Sequence, residues 1–206
     1  MSGANRIAGA GRLTPAKKLR FTFDGEIYTA LEGDTLASAL LANGVHLMGR
    51  SFKYHRPRGV LGAGSEEPNA LMGIERDKSR QQPNVRATVQ EVFEGMVAVS
   101  QNRWPSLAFD VGSVNNLLSP LFAAGFYYKT FMWPKMAWEK LYEPVIRSAA
   151  GLGVAPDAAD TDYYASRYIH TDVMIIGGGV SGLTAALAAG CDPVRRTGPD
   201  RRRAFL

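Results

Sequence analysis

The chain has 206 residues, a net charge of +5 and a single cysteine, Cys191. Its 46% hydrophobic and 21% charged content is ordinary for a folded protein and argues against disorder. One thiol excludes an intrachain disulfide and a four-cysteine iron–sulfur cluster, and the three scattered histidines show no metal-ligand spacing. No apolar run reaches the roughly 18 residues of a membrane span, and no signal-peptide pattern is present. We therefore expect a cytoplasmic protein without a metal site or a membrane partner.

The N-terminal part of the chain predicts a flexible arm followed by a β-hairpin. Residues 1–16 are polar and Arg-rich, which is typical of a solvated arm. Residues 19–23 alternate between apolar and polar side chains, as a half-buried strand does. The dipeptide Asp24-Gly25 suits a tight hairpin turn because both positions tolerate positive φ, and residues 27–31 return as the second strand.

A helix and further strands should complete a small domain. Asp34 or Thr35 can cap a helix that ends at Asn43-Gly44 and carries Leu36, Leu40 and Leu41 on one face. Residues 50–73 lack periodicity and predict a long ordered loop with short strand pieces. Val85, Ala87 and Val89 predict one strand, and residues 92–99 predict another. The fold class is therefore α+β, opening with a cluster-free β-grasp domain of the 2Fe-2S-ferredoxin type at 17–100.

Residues 101–168 predict a helical and aromatic connecting segment. Val114, Leu117 and Leu121 have near-helical spacing, and Pro134 can open a helix that carries Trp138 and Leu141. The stretch 120–138 is the most hydrophobic of the chain, but lysines and a proline interrupt it. Packing against neighbouring domains or subunits is favoured over a membrane-surface anchor.

A glycine motif at 177–182 predicts a nucleotide site. The apolar strand 172–176 precedes it and the helix 183–189 follows, so residues 169–190 read as the start of a Rossmann-like βαβ dinucleotide-binding domain. The first glycine permits the turn, the second lets the backbone approach a pyrophosphate, and the third allows close helix–strand packing. We assign no catalytic residue. The cofactor-binding candidates are Gly177, Gly178, Gly179, Val180, Ser181 and Gly182.

Residues 191–206 do not continue this domain in the usual way. An acidic residue for the ribose hydroxyls is expected about 20 residues after the first glycine. Instead the tail carries five arginines against two aspartates, and its prolines do not suit a buried parallel strand. We interpret it as an aberrant basic tail produced by a reading-frame shift near Gly190. One possible set of codons for residues 195–200 encodes a glutamate near position 196 when it is read one base later. The nucleotide sequence tests this hypothesis.

Five strings in a shared order carry a family resemblance over about residues 17–190. The strings are SFKYHRPRG at 51–59, EEPNAL at 66–71, SQNRWPSL at 100–107, AGFYYKTFMWP at 124–134 and YEPVIRSAAGLG at 142–153. Together they resemble the α subunits of heterotetrameric sarcosine oxidases. The resemblance implies a cluster-free ferredoxin-like domain, an NAD-binding domain opened by the 177–182 loop, and a C-terminal folate-binding domain that is missing here.

The resemblance also implies an activity, cofactors and partners. Such an oxidoreductase demethylates sarcosine to glycine, with tetrahydrofolate taking the one-carbon unit and oxygen becoming peroxide. NAD binds the α subunit, FMN and FAD belong to the full complex, and the partners are the β, γ and δ subunits. The truncated chain is expected to be inactive alone and poorly soluble.

Three alternatives stay open at this stage. One is a subunit of a related NAD- or FAD-dependent amine or opine dehydrogenase, although those relatives carry cysteines in the ferredoxin-like domain. Another is a non-catalytic subunit-contact module built on the segment 113–150. The third is a basic single-stranded nucleic-acid module, since Arg50, Lys53, His55, Arg56 and Arg58 interleave with Phe52 and Tyr54. That cluster is short, and we expect no nucleic-acid partner.

Overall fold

A computed structural model shows two compact units, residues 1–161 and 162–206. The structure describes residues 5–7, 17–77, 79–117, 119–121, 133–149, 151, 156, 158–166, 168, 170–171, 173–191 and 204–205.

The first unit is built on a five-stranded mixed sheet. Its strands are β1 (Lys18–Phe23), β2 (Glu26–Leu31), β5 (Leu71–Glu75), β6 (Gln81–Arg86) and β7 (Met96–Ser100), with a short separate pair β3 (Gly49–Arg50) and β4 (Pro57–Arg58). The order in the sheet is β2-β1-β7-β5-β6. β1 pairs with β7 in parallel, and the other neighbours are antiparallel. The mixed sheet and the helix packed on it confirm the predicted α+β class for this unit.

The predicted hairpin between β1 and β2 is confirmed. Asp24 and Gly25 have φ values of 50° and 90°, so both turn positions adopt the left-handed conformation that their residue types tolerate. The six-residue register from Lys18–Leu31 to Phe23–Glu26 is continuous. Alternation then places Leu19, Phe21 and Phe23 on the buried face.

Helix α1 (Leu36–Ala42) covers that face and forms the core. Thr35 is the N-cap residue, since its hydroxyl accepts the Ser38 N–H at 3.2 Å. Leu36 and Leu40 are fully buried against the sheet. Asp34, the other predicted cap, instead accepts the Leu31 N–H and the Ser38 hydroxyl just before the helix.

Two strand predictions are corrected in their bounds. β6 spans Gln81–Arg86, so Ala87 and Val89 lie beyond it, and the Val89 N–H turns back to the Arg86 carbonyl. The strand predicted over 92–99 starts only at Met96, because Gly95 has φ +74° and ends a turn. Turn geometry, rather than apolar content, sets both boundaries.

The connecting segment differs from the predicted helices. Val111–Asn116 and Ser119–Leu121 are 3₁₀ turns, and the Asp110 side chain caps the first by accepting the Gly112 N–H. The helix expected from Pro134 begins as a π-helical turn, Trp138–Tyr142, and continues as α2 (Glu143–Ala149). Most of the hydrophobic stretch 120–138 lies outside the described residues. No helix in the described part of the chain is long and apolar enough to cross a membrane.

Part of the predicted flexible arm is anchored on the first unit. The Asn5 N–H donates to the Ala42 carbonyl at 3.2 Å. Arg6 pairs with the fully buried Asp34 carboxylate, with 2.5 Å between Nη2 and Oδ2. Asn5 and Arg6 are therefore held against the first unit, because a buried carboxylate needs a charged partner, whereas Ile7 is 77% exposed.

The core position of Leu40 leads to a stability prediction. Leu40→Ala should lower the free energy of unfolding by about 2–5 kcal/mol, because it leaves a cavity in a close-packed core. Ile27 on β2 is 72% exposed, so Ile27→Ala should change the free energy of unfolding by no more than about 0.5 kcal/mol. Urea denaturation followed by far-UV circular dichroism measures both, and equal losses in the two variants would contradict the assignment of this core.

Candidate functional site

The predicted glycine loop forms one tight turn between a strand and a helix. β8 (Met174–Ile175) leads into it, and α3 (Val180–Cys191) follows directly. Gly177 has φ +100°, a conformation that side chains rarely adopt. A Cβ on Gly182 would lie 2.0 Å from the Gly177 carbonyl oxygen, so only glycine fits there. The first and third motif glycines are thus required by the local backbone.

The remaining loop positions are open to solvent. A Cβ on Gly178 or Gly179 would meet nothing within 4 Å, so the protein itself does not require glycine at either position. Val180 and Ser181 are exposed at the first turn of α3. The first amides of a helix have no intrahelical acceptor and carry the positive end of its dipole. All six candidates therefore surround a turn whose backbone is accessible to an anion.

Two residues of the basic tail pair with β8. β9 (Ala204–Phe205) runs parallel to it, with Met174 opposite Ala204 and Ile175 opposite Phe205. The prolines and arginines of the tail, which we did not expect to form a buried parallel strand, precede this pair and lie outside the described residues. The position expected for the acidic ribose ligand falls within 192–203, outside the described residues.

A second polar centre lies in the loop between β4 and β5 and was not among the predicted sites. The Glu67 side chain is 1% exposed and accepts four backbone N–H groups. Oε2 accepts from Leu61 at 2.7 Å and Gly62 at 2.6 Å, and Oε1 accepts from Asn69 at 2.7 Å and Ala70 at 3.1 Å. Burial raises the pKa of Glu67, but the four hydrogen bonds outweigh it and hold the pKa below its ordinary value. The available sequence signal was an acidic residue beside a glycine-rich loop.

The basic loop considered for nucleic acid is occupied by internal contacts. The Arg50 guanidinium donates to the carbonyls of Leu107 and Ala108, at 2.8 Å and 3.3 Å from Nη2. His55 Nδ1 lies 2.7 Å from the fully buried Asp110 carboxylate. Arg56 donates to Asn116 and stacks on the Tyr54 ring. These contacts tie the loop to residues 107–116 and favour a structural role over a nucleic-acid surface.

Comparisons with a family model and with known proteins show what this chain is similar to. Residues 16–103 match the family model described as a 2Fe-2S iron-sulfur cluster binding domain. The chain is 65% identical over 185 residues to sarcosine oxidase subunit alpha from Rhizobium meliloti (strain 1021), which is 90% of this chain and 19% of that protein. Over nine-tenths of its length, the chain resembles sarcosine oxidase subunit alpha.

More distant sarcosine oxidase α subunits match as well. The subunit from Corynebacterium sp. (strain P-1) is 33% identical over 87% of this chain, and that from strain U-96 is 32% identical over 90%. Each match covers 14% of the relative, so the chain spans less than a fifth of the length of these proteins. Among solved structures, L-proline dehydrogenase from P. horikoshii covers 41% of this chain and 16% of that chain, with 27% identity and a TM-score of 0.34.

The donor set of the matched domain does not fit a 2Fe-2S cluster. Such clusters need four cysteines, or two cysteines with two histidines. Residues 16–103 contain no cysteine, and their two histidines are His46 and His55. Nowhere in the described chain do three or more His, Cys, Asp or Glu residues form a group that could hold a metal. The domain at 16–103 therefore contains a mixed sheet but lacks the ligands of such a cluster.

The glycine loop yields a prediction that separates its positions. Gly182→Ala should disrupt the start of α3, because the added Cβ would clash with the Gly177 carbonyl. Gly178→Ala is the matched control, since its Cβ would meet open space and its φ is not positive. Backbone amide NMR spectra of residues 177–184 should change widely only in Gly182→Ala. Similar spectra for the two variants would contradict the turn described above.

Proposed function

We propose that this chain forms the N-terminal part of a sarcosine oxidase α subunit. The observation that carries the proposal is the 65% identity over 90% of the chain to a protein of that name. The ferredoxin-like sheet and the match of residues 16–103 to the 2Fe-2S domain family support it. In the complete enzyme, the reaction is the oxidative demethylation of sarcosine to glycine, with tetrahydrofolate and oxygen as acceptors.

The proposed role of the second unit is to begin the NAD-binding domain. The strand–turn–helix around Gly177–Gly182 supports it, because the helix amides and the open backbone at Gly179 suit a pyrophosphate. The residues of this loop would bind and orient the phosphates of NAD. FMN and FAD in the assembled enzyme supply the redox chemistry, and tetrahydrofolate binds the separate C-terminal domain of the α subunit.

The proposed role of the first unit is contact with the β, γ and δ subunits. Large apolar side chains stay exposed along the segment that follows the sheet, and exposed apolar surface of this kind marks protein–protein contacts. Trp104 is 67% exposed, Phe109 70% and Leu117 77%. The hydrogen bond from Arg50 to the Leu107 carbonyl and the contact of Asp110 with His55 fix the conformation of this loop. The apolar side chains therefore lie on an ordered part of the surface.

Nucleotide binding is tested at the second motif glycine. Gly179→Ala should abolish NAD binding to the full 206-residue chain while leaving its fold unchanged, because the added methyl group occupies the space that the pyrophosphate approaches. Gly178→Ala should retain NAD binding, because the motif accepts other residues at this position. Saturation-transfer NMR with millimolar NAD detects even weak binding. Absence of a signal in the unmodified chain would argue against the NAD role.

Subunit contact is tested on the exposed apolar residues. The double substitution Phe109→Ser and Leu117→Ser should sharply reduce recovery of the chain with co-expressed β, γ and δ subunits, since it removes apolar contact area. Ile27→Ser, at an equally exposed site on β2, is the control and should leave recovery unchanged. The chain by itself should show no sarcosine-dependent oxygen uptake. Equal recovery of both variants would refute this contact surface.

A further inference from the structure

The Glu67 carboxylate lies where backbone amides from both sides of one loop converge. The amides of Leu61 and Gly62 reach it from the glycine-rich side, and those of Asn69 and Ala70 reach it from the side that enters β5. Converging backbone N–H groups form concavities that bind anions, and such concavities surround phosphates and iron–sulfur clusters in other proteins. A buried set of donors without an acceptor is strongly unfavourable. The loop therefore requires hydrogen-bond acceptors at this point, and the Glu67 carboxylate supplies them.

The position of this concavity in the chain points to its origin. It falls within the range that matches the 2Fe-2S cluster binding domain. The amides that flank Glu67 belong to Leu61 and Asn69, which are eight positions apart. The first and third cysteines of the plant-type C-x₄-C-x₂-C pattern have the same separation. The loop thus has the span of a cluster loop but contains a carboxylate in place of thiolate ligands.

We propose that residues 59–70 form an anion-binding concavity of the cluster-loop type, filled permanently by the Glu67 carboxylate of the chain itself. The carboxylate replaces the cluster as the negative centre that orders the loop. Other contacts hold the loop around it: the Thr88 hydroxyl donates to the Gly64 carbonyl at 2.5 Å. A Cβ on Gly59 would lie 2.3 Å from the His46 carbonyl oxygen, so the loop is closely packed there. The domain keeps its loop folded with no metal.

The charge of Glu67 makes this loop sensitive to acid. The pKa of Glu67 is lower in the folded chain than its ordinary value, so folding favours the charged form. The stabilisation is complete above the ordinary carboxyl pKa of about 4.5 and is lost as the pH falls through the lower, folded value. Glu67→Gln should therefore weaken the dependence of loop stability on acid pH.

Chemical rescue tests whether the concavity is an anion site. In the full chain, Glu67→Ala should raise hydrogen-exchange rates of the amides of Leu61, Gly62, Asn69 and Ala70 by about tenfold or more, because each loses its acceptor. Sodium formate should restore their protection, whereas sodium chloride at the same ionic strength should not. Glu66→Ala is the matched control, because Glu66 is the exposed neighbouring carboxylate, and formate should have no effect on it.

The outcomes separate the proposal from simple loss of a packing contact. A folded Glu67→Ala chain whose amides are not re-protected by formate would overturn it. If that variant does not fold, ¹³C NMR titration of the Glu67 carboxyl in the unmodified chain decides, and a pKa at or above the ordinary glutamate value would overturn the proposal. Incubation of the chain with iron, sulfide and thiol should give no 2Fe-2S absorption bands, and their appearance would equally contradict it. None of these readouts depends on NAD binding or on sarcosine oxidation.

Discussion

The parallel pairing of β1 with β7 is the constraint on which the first unit depends. It sets Phe21 opposite Met96, and both side chains are buried beneath α1. Asp24 reinforces it from the hairpin turn, because its carboxylate accepts the N–H and hydroxyl of Ser100 and pairs with Arg103. Parallel strands need a long crossover connection, so the helix and loops between β1 and β7 have to cross the sheet.

That crossover and the segment that follows β7 both contain long stretches without regular structure, and charged side chains satisfy their backbone groups. Glu67 accepts four N–H groups, and Arg50 donates to the carbonyls of Leu107, Ala108 and His55. Asp110 accepts the N–H groups of Trp104 and Gly112 besides contacting His55. Buried polar backbone groups are tolerated only when they are paired. Hydrogen bonds to these three side chains therefore fix the conformation of the loops, as backbone hydrogen bonds between strands fix that of the sheet.

This arrangement explains how a domain that is similar to cluster-binding domains can stay ordered without the ligands of a cluster. Without cysteines at 16–103, the domain cannot hold a 2Fe-2S centre, yet its loop keeps an ordered course around an internal anion. An ordered, metal-free domain is suited to act as a support for exposed residues such as Trp104 and Leu117. In the proposed α subunit, the nucleotide chemistry would then belong to the separate turn at Gly177–Gly182.

The sequence by itself determined the features that depend on local backbone chemistry. Asp24-Gly25 specified a hairpin because both positions adopt positive φ, and Thr35 capped a helix because its hydroxyl reaches the Ser38 amide. The spacing of glycines specified the turn at 177–182 because Gly182 meets the Gly177 carbonyl within that same turn. The single cysteine, Cys191, excluded a four-cysteine cluster whatever the fold, since the ligands are missing from the composition itself.

Only the tertiary structure decided the features that join distant segments. Val114 and Leu117 have helical spacing, but Asp110 and the neighbouring loop hold this stretch as a 3₁₀ turn. Arg6 was expected in a flexible arm, yet the buried Asp34 carboxylate draws it onto the domain. Glu67 lies within six positions of the four amides that donate to it, but no local pattern predicted that the loop folds around this carboxylate. Arg6 and Asp34 lie 28 positions apart along the chain, so a local sequence pattern cannot identify them as partners.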